Sequence, residues 1–134
     1  MLQFYFLSVF FNALAGYFFF FGEEGARKLH IDFFSGEETW KLVFGILSAV
    51  TGLLKLLSPI EGDLPVIGDL VPAISGIACG IILIFEYYRH RTSVEDTEQT
   101  IKIKRIFIDN KNIIGAGAMI AAVLHFLFPR VLFL

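Results

Sequence analysis

The chain has 134 residues, 56% hydrophobic and only 18% charged, with a net charge of −2 and a mean hydropathy of +0.71. Soluble domains are about 45–50% apolar and about 25% charged, so this composition argues against a water-soluble globule, and the charge argues against a nucleic-acid binder. A single cysteine, Cys79, excludes an intrachain disulfide.

Four stretches have the roughly 17–25 apolar residues that a transmembrane helix needs. Open strands would leave backbone groups unpaired in lipid, so all four are expected to be helices. The first, residues 1–22, has no charged side chain and eight phenylalanines in its first 21 positions. The "ALA" at 13–15 imitates a signal cleavage site. No Lys or Arg precedes the apolar run, however, and the run continues to Phe21, so a retained span is expected. Asn12 falls near its centre, on one face with Ser8 and Gly16. An interhelical hydrogen bond is its simplest role. An amide cannot take up a proton, which argues against a proton-coupled antiporter.

The second span, residues 40–59, opens with Trp40 and carries Lys55. Fifteen residues into a helix is roughly 22 Å along its axis, about one turn short of Pro59. A lysine there can snorkel to the interface, with Glu61, Asp63 or Asp69 as partner. It can equally contact a substrate or a lipid headgroup, because intramembrane ionisable groups are functional candidates by default. The third span, residues 65–88, ends in Glu86, Tyr87 and Tyr88, with the tyrosines placed as interfacial anchors. The fourth, residues 112–133, carries His125 at the depth of Lys55, either as an interhelical hydrogen-bonding group or as a proton or ligand site.

The connections set an orientation. Arg27, Lys28 and Lys41 follow the first span. Arg89, Arg91, Lys102, Lys104, Arg105 and Lys111 follow the third. The connection after the second has Glu61, Asp63 and Asp69 and no base. Basic residues remain cytoplasmic, which places both long connections in the cytoplasm, both termini and the acidic connection outside, and the protein in the cell membrane. The stretch "TEQTIKIKRIFIDNKN" (97–112) alternates Ile and Lys. A docked strand, an interfacial segment and an extension of the fourth span all fit it, and its mixture of basic and apolar residues suits anionic headgroups.

The spans also repeat. Gly45–Pro59 aligns with Gly115–Pro129 at an offset of 70, which brings Lys55 onto His125. Gly16 aligns with Gly80 at an offset of 64. Two similar hairpins about a pseudo-twofold axis along the membrane normal are expected, a parallel repeat. Small residues let membrane helices approach closely. Gly16, Gly45, Gly52, Gly76, Gly80, Gly117 and Ala121 are therefore the predicted packing positions.

No nucleophile elbow, P-loop, HExxH or CxxC pattern is present. His30 and His90 belong to the face opposite His125, which argues against a bis-histidine haem or a histidine metal site. No cofactor is expected. The expected fold is thus an all-α membrane protein of four transmembrane helices in a single domain. The expected function is that of a non-catalytic subunit or scaffold of a larger membrane assembly, in contact with the lipid bilayer and with other membrane proteins or its own copies. The alternative is a small oligomeric transporter or channel with a polar site near Asn12, Lys55 and His125.

Overall fold

Small and polar residues recur three and four apart along each apolar run, and in the computed structural model of the protein these positions face inward. The structure describes residues 2–28, 38–57, 69–92 and 97–128. Among them it is all helical, with no strand. The helices are α1 (Leu2–Lys28), α2 (Thr39–Leu57), α3 (Leu70–Arg91), α4 (Glu98–Ile103) and α5 (Lys111–Leu127), and a π-helical turn (Lys104–Ile108) joins α4 to α5.

The buried face of α1 reads Tyr5, Ser8, Asn12, Ala15 and Phe19, a strict three-and-four spacing, while Phe6, Phe10, Phe20 and Phe21 face outward. The same spacing buries Gly45, Ser48, Gly52 and Lys55 of α2. In water, an outer surface of Phe, Ile, Leu and Val would drive aggregation. In lipid it is the solvent-facing side.

The helices run up and down, with α2 packed most extensively on α3 and α1 on α5. Glycines set both close contacts. A Cβ added at Gly16 would lie 2.6 Å from the Gly115 carbonyl oxygen, and one added at Gly80 would lie 2.6 Å from that of Gly45. A Cβ at Gly52 would meet the Ala73 carbonyl oxygen at 2.7 Å. Gly76 and Ala121 are also buried. Gly117 differs from expectation: it is exposed, and a Cβ there would meet nothing within 4 Å. Gly115, two residues earlier and so about 200° around a helix of 3.6 residues per turn, takes the contact instead. A cluster of Phe18, Phe19, Trp40, Cys79, Ile82 and Leu83 fills the opposite end of the bundle from Lys55.

Residues 3–22 of α1, together with α2 and α3, are long and apolar enough to cross a membrane. The fourth stretch departs from a simple span. α5 has 17 residues, about 26 Å at 1.5 Å each, against a hydrocarbon core of about 30 Å. It meets the length criterion only together with residues 98–108, from which it is bent by 48°. The bundle therefore holds three spanning-length helices, or four with this bent pair. Residues 129–134, including Pro129 of the expected fourth span, lie outside the described residues, as do Pro59, Glu61, Asp63 and 65–68.

Two boundaries have local causes. α1 continues past residue 22 across a break at Gly22, whose φ of 60° and ψ of −151° suit a residue without a Cβ. The stretch from 97 is helical, so the strand reading of it fails. Its π turn is closed by Asn110, whose Nδ2 donates to the carbonyls of Arg105 at 3.0 Å and Ile106 at 3.2 Å.

Candidate functional site

Four elements contribute one side chain each to a buried cluster at the end of the bundle where α1 begins and α5 ends. Lys55 stands in the last turn of α2 and Asp69 immediately before α3. The cation thus meets the negative end of one helix and the carboxylate the positive end of the next. Lys55 Nζ donates to Asp69 Oδ2 at 2.8 Å, with side chains only 1% and 2% exposed. Two ions so fully removed from water remain charged only when each compensates the other.

α1 and α5 close the cluster. Tyr5 places its ring 5.5 Å below Lys55 Nζ, within cation–π range, and stacks at a tilt on the His125 ring at 4.7 Å. Its hydroxyl donates to the His125 carbonyl oxygen at 2.9 Å. His125 Nε2 lies 3.6 Å from Asp69 Oδ1. Tyr5, Lys55, Asp69 and His125 therefore join α1, α2, α3 and α5 at a single level. Asp69 is an acidic group inside the bundle, where the sequence placed it only in an acidic connection.

Deeper in the bundle, Asn12 Nδ2 donates to the Pro72 carbonyl oxygen at 2.9 Å and more weakly to Ser8 Oγ at 3.4 Å. Ser48 Oγ donates to the Gly76 carbonyl oxygen at 2.8 Å. Asn12 Oδ1 and Asp69 Oδ1 are buried and lack a hydrogen-bond partner among the described residues. Asn12, Lys55 and His125 thus all face the interior. Lys55 and His125 share one cluster, and Asn12 occupies the layer beneath, about two turns down α1 from Tyr5.

The far end carries a second, more exposed set of charges. Glu86 accepts from Lys111 at 2.9 Å and faces Lys41 at 3.7 Å. Lys41 also pairs with Glu38 at 2.8 Å, and His90 stands 3.9 Å from Glu38. His90 is 21 residues from Asp69 along α3, roughly 31 Å at 1.5 Å per residue, so His90 and His125 belong to opposite ends. His30 lies outside the described residues. No group of three or more His, Cys, Asp or Glu able to hold a metal occurs among the described residues.

Tyr5 escaped the sequence reading because a tyrosine near the start of an apolar run resembles an interfacial anchor. Its position three before Ser8 and seven before Asn12 was the available signal. Glu86 was assigned to the interface without its two lysine partners, which come from helices remote in sequence.

Spanning-length apolar helices around a buried polar centre define a polytopic helical membrane protein. A protein-family model of unknown function matches residues 1–125, and the chain belongs to that family. An uncharacterized protein of Treponema pallidum (strain Nichols) is 33% identical over 135 residues, covering 100% of both chains. No solved structure matches.

Proposed function

We propose that the protein is a non-catalytic, multi-pass component of the cell membrane that acts as a subunit or scaffold of a larger membrane assembly. One observation carries this reading: the polar groups inside the bundle are engaged in bonds from helix to helix. Asn12 ties α1 to α3, Ser48 and Lys55 tie α2 to α3, and Tyr5 ties α1 to α5. Such bonds rigidify a bundle and leave its apolar exterior for lipid and partner helices.

Two similar hairpins in a parallel repeat belong to the same proposal. The contact of Gly16 with Gly115 becomes that of Gly80 with Gly45 when the offsets of 64 and 70 are applied. By the same offsets Tyr5 and His125 correspond to Asp69 and Lys55, and Lys41 corresponds to Lys111, its fellow partner of Glu86. The excess of basic residues beyond α1 and α3 supports cytoplasmic placement of that end, with both termini outside. The repeat is tested by superposing residues 45–57 on 115–127 together with 8–21 on 72–85. A single rotation has to bring both pairs together.

The test of function is extraction of the tagged protein from its native membrane in a gentle detergent, followed by the mass and composition of the particle. Partners in fixed ratio are the expected result. A particle of this chain alone overturns the subunit reading. The second reading, a small oligomeric transporter or channel, is favoured by the two buried oxygens of Asn12 and Asp69 that lack partners. It requires solute flux in liposomes that Lys55→Leu abolishes with the particle intact.

A further inference from the structure

The inference concerns the outer surface at the Glu86 end, away from the buried cluster. It requires a membrane-spanning bundle but no assembly partner. α3 and α4 enclose an open groove of about 230 Å³ lined by Ile81, Ile84, Phe85, Tyr88 and Ile103, with no polar lining. Ile81 to Tyr88 is seven residues, so the groove follows α3 for about 10 Å along its axis. It runs from the bundle's middle to the end where the charges begin.

Cations surround that end. Arg89 and Arg91 follow Tyr88 in the last turn of α3 and are exposed, with the Arg91 guanidinium 5.7 Å from the Tyr87 ring. Lys102 and Lys104 flank Ile103 in sequence, and Arg105 follows. Within α4 and the π turn, Glu98 is the only acid. The opposite charges of this end, Glu86 and Glu38, are already paired with Lys111 and Lys41. Ile101 and Ile106 are exposed on the same short segment. Apolar and basic side chains interleaved on a segment bent 48° away from its spanning helix suit the plane of the headgroups.

We infer that this groove is a binding site for one anionic phospholipid, with an acyl chain along Ile81, Ile84 and Phe85 and the phosphate among Lys102, Lys104, Arg105 and the α3 arginines. The apolar lining supplies chain contact without headgroup selectivity. The cations supply the selectivity, because juxtamembrane Lys and Arg each favour an anionic lipid by about a factor of five.

Native mass spectrometry of the protein in detergent, with phosphatidylglycerol or phosphatidylcholine of the same chains added, tests the site. The expected result is saturable binding of one phosphatidylglycerol, at least about tenfold tighter than phosphatidylcholine. Replacing Lys102, Lys104 and Arg105 together by Gln is expected to bring the two lipids level. Ile81→Trp, and separately Ile103→Gln, are expected to weaken both lipids and leave their ratio intact. Glycerol 3-phosphate, which has the charge without the chains, is expected not to displace the lipid. Equal binding of the two lipids by the unaltered protein, retained preference in the Gln variant, lipid binding indifferent to both groove variants, or displacement by glycerol 3-phosphate each overturns the proposal.

Discussion

Replacing Lys55 by methionine keeps the length of the side chain and removes the charge that compensates Asp69. At 2.8 Å and an effective dielectric of about 20, the pair attracts by about 6 kcal/mol. Removing each ion from water costs several kcal/mol, so the intact pair comes close to breaking even. Lys55→Met discards the attraction and leaves the Asp69 carboxylate buried, with an expected loss of about 3–5 kcal/mol. Replacing both, as Lys55→Met with Asp69→Leu, removes the desolvation cost along with the attraction. The double variant is expected within about 1 kcal/mol of the unaltered protein, or above it. Trp40 is the sole tryptophan and packs 5.0 Å from Phe18 at the far end of the bundle. Its fluorescence during unfolding in mixed micelles therefore reports the whole fold and not the altered site. A single variant within about 0.5 kcal/mol of the unaltered protein, or a double variant whose loss equals the sum of the two singles, refutes the reasoning.

Further predictions concern packing and topology. Gly16→Ala and Gly80→Ala each drive a methyl group into a facing backbone, and each is expected to cost about 1–3 kcal/mol in the same unfolding assay. Gly117→Ala meets open space and is expected to be neutral or to stabilise by up to about 1 kcal/mol through helix propensity. Asn12→Ala is expected to cost about 0.6–1.7 kcal/mol, the range of interhelical hydrogen bonds in membranes, and a loss beyond about 3 kcal/mol contradicts a simple tie to Pro72. Cysteine placed at exposed Thr92 is expected to react with an impermeant thiol reagent only from the cytoplasmic side, and cysteine at exposed Phe128 only from the other; the reverse pattern overturns the proposed orientation.

What the sequence disclosed follows from the physics of each feature. Apolar run length alone identifies a helix in lipid, so α2 and α3 appear within a few residues of their expected bounds. Close approach needs residues without bulk, so Gly16, Gly45 and Gly80 could be read directly. Rotation about a helix is harder to read: "GAGA" offers four small residues from Gly115 to Ala118, and the facing Gly16 and Phe19 decide which of them turn inward. The bend before α5 was equally hidden, because a π turn is selected by tertiary contacts of Phe107 and Ile108 with the core and not by their propensities. Lys55 was visible as an anomaly. Its environment was not, since Tyr5 and His125 reach it from the two ends of the chain.

The Lys55–Asp69 pair bears on how the chain enters its membrane. Its members stand 14 residues apart, whereas Tyr5 and His125 are separated by 120. A lone charge carried into the bilayer costs about 2.5–3.5 kcal/mol when a helix inserts. α2 with its lysine and α3 with its aspartate are neighbours in synthesis, so each charge can be cancelled by the other before α5 exists. The middle hairpin is then the natural unit of insertion, and the outer helices, which bring a phenol and an imidazole, seal a pair that is already neutral.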